Sequence, residues 1–385
     1  MNLSKSLLLS LSIVCFVAVV AAGCGSGGSS GGESTPAATK FLEKTEKEVA
    51  TLVSPKGTFQ EPPADSPPPV QNKTVALISC GQTVQYCARG MKGAEDAAHA
   101  LGWDTTLFDT KAEYSRTATG VRQAIVGGAD AIFVYYIDCS FFQSALKEAE
   151  AAGIPVISAE SFDCNQDLEN EAAEPENFAG QVTYANDIPY GQYLAEWTMS
   201  QTKYVFAKNK GDMNAIYFNM TEGLGAKSQE TYMKKFAAEC GTCTINLVNF
   251  NYAEVYRGLE SQASQALLKN PDADSMFISF ELVATNGAAA AVKASGREID
   301  LGVGEGGTPG VQLVKEGVGT VGGGLSPEWE AWSAIDCANR IFNDEKCVNS
   351  GIGQQVFTAE KNLPESGAWK PPVDFEALYE KAWGV

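Results

Sequence analysis

Gly302-Val303-Gly304-Glu305-Gly306-Gly307 has the G-x-G-x-x-G spacing with which backbone amides cradle a pyrophosphate. That chemistry needs an early strand before the glycines, a helix after them and an acid about 20 residues on. Here the glycines come late, behind a long series of strand-like runs, so a dinucleotide site is not expected. His99 is the chain's single histidine. A multi-histidine metal site is therefore excluded, and a Ser-His-Asp triad would depend on one residue set between Ala98 and Ala100 on a helical stretch. A structural role is expected instead. Cys240-Gly241-Thr242-Cys243 has the C-x-x-C spacing of thiol redox chemistry. It sits between a helix and a strand rather than opening a helix, so a turn-closing bridge is expected. No cofactor and no metal are expected.

The chain has 385 residues, with 47 acidic against 28 basic side chains and a formal charge of −19. Such a balance opposes binding to nucleic acid by phosphate neutralisation. Lys5 is the only charge before Cys24, and Leu7 to Ala22 is an uncharged, mostly apolar run, short for a membrane span and suited to an export signal. It ends Ala21-Ala22-Gly23-Cys24, which resembles the bacterial lipobox, with Ala21 where a leucine is usual. The resemblance implies a signal peptide over 1–23, lipidation of Cys24 and anchoring to the outer face of the cell membrane or in the periplasm. Gly25 to Gly32 contains only glycine and serine, and Pro62-Pro63 and Pro67-Pro68-Pro69 favour extended chain. A flexible tether is thus expected over 24–72, interrupted by a short charged stretch, Phe41 to Val53, with helical spacing.

Eight cysteines remain after Cys15 and Cys24, an even number in an exported chain, which favours disulfides. Eight allow 105 pairings. Local proximity suggests Cys80–Cys87, Cys139–Cys164, Cys240–Cys243 and Cys337–Cys347.

From Thr74 onward apolar runs alternate with amphipathic ones. Strands are expected at Val75–Ile78, Thr105–Phe108, Ala131–Tyr136 and Ile154–Ser158, with helices between them. The pattern then restarts, with strands at Val182–Tyr184, Ala215–Phe218, Thr244–Phe250, Ser275–Ser279 and Ile299–Val303. Strand–helix alternation means parallel sheets covered by helices on both faces, and two such runs mean two similar lobes. Ligands in such sheets bind beyond the carboxyl ends of the strands.

The residues that carry this pattern also match a known family. Val75–Ser79, Gly90-Met91-Lys92-Gly93-Ala94, Gly128-Ala129-Asp130-Ala131-Ile132 and Ala152-Gly153-Ile154-Pro155-Val156-Ile157-Ser158 resemble the first lobe of the ribose-binding-protein family, the type 1 periplasmic binding proteins. Tyr256-Arg257-Gly258-Leu259, Leu268–Ala273 and Gly304–Pro309 agree with the second lobe. The resemblance covers about residues 74–358. It implies an α/β fold with two doubly wound parallel-sheet lobes joined by a multi-strand hinge, a venus-flytrap. One lobe would hold 73–182 plus 326–352, the other 183–325 plus 353–385. It also implies a monomeric receptor that passes a small solute to an ABC importer permease, or reports it to a sensor kinase, without catalysis. Paired carboxylates could suggest glycoside hydrolysis, but the family fold carries no such activity. DNA-binding repressors share the core, yet here an export signal takes the place of their N-terminal helix-turn-helix.

The resemblance also places a cleft. The loop after the first strand brings Val84, Tyr86 and Cys87 to positions that hold a polar residue and two aromatics in the family's sugar binders, with Gln82 and Gln85 nearby. Tyr135 and Asp138 follow the third strand. Glu160-Ser161 stands where the family has Asp-Arg. In the second lobe the family's arginine position is Tyr232, its strand-end asparagine position is Phe280, followed by Glu281, and its aspartate position is Gly306, preceded by Glu305. Trp329 lies near the last hinge. Aromatic faces and carboxylates of this kind suit a sugar. Acids without a partner base also suit a cationic or amine-containing ligand, since an incoming cation relieves their repulsion and is drawn to aromatic faces.

Overall fold

The computed structural model describes residues 36–170, 173–185 and 189–385. The signal segment, Cys24 and the glycine-serine run lie outside these residues. The described chain begins with a helix, α1 (Pro36–Leu52). The first lobe then follows as β1 (Thr74–Ser79), α2 (Gln85–Ala100), β2 (Asp104–Asp109), α3 (Thr117–Val126), β3 (Ala131–Tyr135), α4 (Gln143–Ala151), β4 (Val156–Ala159) and β5 (Gly180–Gln181). Its strands form one parallel sheet in the order β2-β1-β3-β4-β5. β1, β3 and β4 are buried along almost their whole length, as expected of strands covered on both faces. Tyr135 pairs in register with Ala159, so Tyr136 and Glu160 leave the sheet side by side.

The second lobe repeats the plan with α5 (Tyr190–Lys208), β6 (Asn214–Met220), α6 (Leu224–Cys240), β7 (Thr244–Phe250), α7 (Tyr252–Arg257), α8 (Glu260–Lys269), β8 (Ser275–Ile278), α9 (Glu281–Val283), α10 (Ala289–Ser295), β9 (Asp300–Leu301) and α11 (Thr308–Lys315). The sheet order is β7-β6-β8-β9, again parallel. Between β7 and β8 the chain forms two helices in place of one, because Gly258 breaks the run at φ +93°. Val182–Tyr184 is not a strand of the main sheet; Thr183 instead bridges to Asn349 at the hinge.

The chain returns through β10 (Gly322–Gly324), α12 (Pro327–Phe342), β11 (Gln355–Phe357) and α13 (Phe375–Trp383). β10 and β11 pair antiparallel beside the hinge. The tail expected on the second lobe crosses back: Phe375 stacks on Trp329 and Trp383 on Trp332, both on α12, while the Trp383 indole donates to Asp336 at 2.8 Å.

All four expected disulfides are formed. The expected flexible tether is not what the described residues show. Phe41 of α1 packs against Phe206 and Phe236 in the second lobe, Leu52 is buried, and Lys203 sits between Glu48 and Glu196 at 3.1 and 3.2 Å. Residues 54–61 then run along the hinge, where the Thr58 amide donates to the Gln354 carbonyl and the Gln60 amide to the Gly351 carbonyl. Phe59 is 1% exposed, held against the Trp329 and Trp369 rings. The prolines beyond have no N–H to pair, but their carbonyls still accept: Asn339 of α12 donates to the Pro67 carbonyl at 2.7 Å. A few apolar side chains in a polar, proline-rich stretch are enough to dock it. Emptying the Phe59 site tests this. Phe59→Ala is expected to cost about 3–5 kcal/mol of unfolding free energy by urea titration, and no measurable loss would mean the segment is undocked.

Candidate ligand-binding cleft

The carboxyl ends of β1, β3 and β4 face those of β6, β8 and β9, and the lobes are closed on one another. Asp138 of the first lobe accepts from the Phe162 amide of its own lobe and from the Leu224 amide at the start of α6. The Tyr114 hydroxyl donates to the Tyr252 hydroxyl at 3.1 Å, and Gln85 accepts from the Thr308 amide at 3.0 Å. Tyr136 and Glu160 emerge with left-handed φ of 58° and 51°. For residues with a Cβ this costs roughly 1–3 kcal/mol each, and such strain concentrates at functional sites. It turns both side chains into the cleft.

Three linked cavities run along the interface. The outer chamber, about 210 Å³, is lined by Thr83, Gln85, Arg89, Glu281, Thr285 and neighbouring residues. It shares Tyr86, Phe280 and Glu305 with an inner chamber of about 20 Å³, which adds Tyr136, Glu160, Trp197 and Tyr252. A third space, about 30 Å³, continues past Glu160 to Asp138 and Gly223. A larger cavity, about 610 Å³, lies at the opposite ends of the first lobe's strands, around Asp130, Pro155 and Phe342. Its lining includes the Lys73–Asp130 ion pair, and it is remote from the strand ends where such sheets bind ligands.

The floor of the cleft is a buried acid pair. Glu330, on the first turn of α12, accepts from the hydroxyls of Tyr135 at 2.7 Å, Tyr86 at 3.2 Å and Tyr193 at 3.3 Å. The buried carboxyl of Glu160 lies beside it, so that each feels the other. Burial pushes both carboxyls above their ordinary range, and for Glu160 the charge of Glu330 adds to the rise. Three phenols donate to Glu330 and support its charged form, so Glu160 is the carboxyl that burial raises further. Tyr135 fits beneath Tyr86 because Gly90 lacks a side chain; a Cβ there would lie 2.5 Å from the Tyr135 ring.

The opposite wall carries a second acid pair. Glu281 is the first residue of α9, yet its carboxylate caps another helix, accepting from the Gly307 amide at 2.6 Å and the Gly310 amide at 3.1 Å at the start of α11. Glu305 accepts from the Glu281 amide at 2.5 Å. Burial, and then the Glu281 charge, push the Glu305 carboxyl up to about 8. Two glycines of the 302–307 run serve this clamp: a Cβ on Gly304 would lie 2.6 Å from the Glu281 backbone, and one on Gly307 2.5 Å from its carboxylate.

Of the residues expected from the sequence, Tyr86, Tyr135, Asp138, Glu160, Phe280, Glu281 and Glu305 converge here. Three do not. Gln82 turns its amide back to Ser79 at 2.7 Å, and Gln85, one helical turn on, faces the outer chamber. Tyr232 packs against the second lobe's core from α6, with the Lys235 ammonium 4.2 Å above its ring. Trp329 is wholly buried between Phe59 and Phe375, its indole donating to the Ser350 carbonyl. The sequence reading missed Glu330, Trp197 and Tyr252. It also expected no basic residue in the cleft, whereas Arg89 lines the outer chamber. Arg89 is held by Glu328 in a two-point pair at 2.6 and 2.9 Å.

The Glu305 shift fixes a pH dependence. Its folded value, about 8, exceeds the ordinary 4.5, so the folded protein binds more protons across that window. The contribution to stability is complete below about 4.5 and is lost as pH rises through about 8. The melting temperature of the ligand-free protein is therefore expected to fall over this range, and Glu305→Gln to flatten the fall. An unchanged slope in Glu305→Gln would contradict the assignment.

Comparison with known proteins accords with this geometry. The model of the periplasmic binding protein domain family matches residues 75–346. The ribose import binding protein of Salmonella typhimurium is 22% identical over 302 residues, covering 78% of this chain and 94% of that protein. An ABC transporter solute binding protein from Agrobacterium vitis, solved with bound allitol, superposes with a TM-score of 0.60 at 17% identity, covering 75% of this chain and 96% of that one. The binding protein of the arabinose ABC transporter from Shewanella gives 0.62 at 18%, covering 80% and 95%. These relatives are binding proteins of transporters, not enzymes. With two parallel-sheet lobes closing on a cleft and a family match over most of its length, the chain belongs to the periplasmic binding protein family.

Proposed function

We propose that the protein is an exported solute receptor that captures a hydroxyl-rich, sugar-like ligand between its lobes and delivers it to an ABC importer. The observation that carries this reading is the outer chamber. Both lobes contribute to it, Tyr86 and Phe280 offer ring faces, and Thr83, Gln85, Thr285 and Arg89 supply polar groups. Arg89 also keeps one guanidinium nitrogen, Nη1, buried and without a hydrogen-bond partner. A buried donor left unpaired is costly, and a ligand hydroxyl would satisfy it. The relatives named for ribose, arabinose and allitol support the same class. The lipobox resemblance at Cys24 supports attachment to the membrane through lipid.

A ligand that binds only the folded protein stabilises it by about 2.7 kcal/mol at 100-fold excess over the dissociation constant. A thermal-shift panel of sugars, polyols and amino sugars is thus expected to contain compounds that raise the melting temperature. Glu160→Gln is expected to weaken them by up to about ten-fold, the value of one hydrogen bond. A panel with no shift would sink the receptor reading, and unchanged affinity in Glu160→Gln would remove Glu160 from the site. For the anchor, Cys24→Ser is expected to move the protein from the membrane fraction to the soluble fraction; unaltered partition would rule out a lipid on Cys24.

A further inference from the structure

The two chambers differ in chemistry. The outer one has donors and acceptors of several kinds. In the inner one the only polar side-chain groups that are not part of an aromatic residue are the carboxyls of Glu160 and Glu305, one from each lobe. Its walls are the rings of Tyr86, Tyr136, Trp197, Tyr252 and Phe280. The Tyr86 hydroxyl donates to Glu330, and the Tyr252 hydroxyl accepts from Tyr114. No Lys or Arg lines this chamber among the described residues, and the nearby Arg89 is bound by Glu328. Besides the two carboxyls the lining offers the Tyr136 hydroxyl and the Trp197 indole, so acids and π faces dominate the space without a basic group to balance them. Its volume, about 20 Å³, holds a group the size of water or ammonium and nothing as large as a sugar ring.

We propose that the inner chamber receives a protonated amine between Glu160 and Glu305, so that the ligand is a hydroxylated small molecule carrying a primary ammonium group, of the amino sugar or amino alcohol class. The inference rests on reading the cleft as the solute site. The ring faces attract the cation and the two carboxylates accept its hydrogen bonds. The charge of the amine offsets the repulsion between the Glu160 and Glu305 carboxyls that face it from the two lobes. The hydroxylated part of the ligand then lies in the outer chamber against Arg89, Gln85 and Thr285.

The test is calorimetric titration of the full chain with three amines, D-glucosamine, D-galactosamine and D-mannosamine, and with their parent hexoses. Each pair differs at one substituent. The expected result is at least about ten-fold tighter binding of one or more amines than of the parent sugar. That preference is expected to vanish in Glu160→Gln. The wild-type comparison stands even if the variant folds poorly. Equal or tighter binding of the parent hexoses would overturn the amine assignment and leave the sugar receptor standing. If neither series binds at millimolar concentration the amine assignment falls as well, and the receptor reading is then decided by the wider sugar panel.

Discussion

Two buried carboxyl groups, Glu160 and Glu330, meet at the floor of the cleft, and burial raises both above the ordinary glutamate range. Taking them out of water is expensive, and the cost is offset only if every remaining lone pair finds a donor. That requirement shapes the centre of the molecule. Three tyrosines from α2, β3 and α5 bring hydroxyls to Glu330, so the two lobes and the hinge helix converge on one side chain. Gly90 is needed to admit the Tyr135 ring, and Glu160 adopts a left-handed backbone to reach its partner. The acid pair thus couples the hinge to the cleft: whatever changes the charge on Glu160 changes the hydrogen bonds of α12.

Around this centre the two ends of the described chain add braces. The N-terminal segment begins on the second lobe, runs along the hinge and ends on α12 of the first lobe, with Phe59 as its buried anchor. The C-terminal helix α13 covers the outer side of the same α12. Lining up Phe59, Trp329 and Phe375 as one stack makes the hinge an aromatic core in its own right. Two of the four disulfides tie the loops at the cleft, Cys80–Cys87 beside Tyr86 and Cys139–Cys164 beside Asp138 and Asp163. Both limit the freedom of segments that position ligand-facing groups.

The fold was legible because its signals are local. Runs such as Val75–Ile78 and Ala131–Tyr135 could only be buried parallel strands, and the strand ends they define carry most of the site. Glu160 and Glu305 were visible as acids at those ends. Glu330 was not, because α12 opens after the hinge and its burial depends on tyrosines up to 244 residues away in sequence. No local pattern distinguishes it from the surface acid Glu328 on the same turn. Trp329 misled for the same reason: an aromatic beside a hinge is equally suited to a ligand and to Phe59, and only the docked N-terminal segment decides. That segment itself read as a tether, since its proline and glycine content outweighs the few apolar residues that hold it down. The lesson of Phe59 is that one anchor with a preformed aromatic slot counts for more than composition.

Family membership fixes the architecture, and the buried acids set the electrostatics of this cleft. The account stands or falls on whether those carboxyls are protonated near neutrality. Carbon-13 NMR of protein labelled at the glutamate carboxyl carbons, titrated from acid to alkaline pH and assigned with Glu160→Gln and Glu305→Gln, measures this directly. The account predicts that the Glu160 and Glu305 resonances titrate far above the ordinary 4.5, with Glu305 near 8. Titration of both at ordinary glutamate values would contradict it.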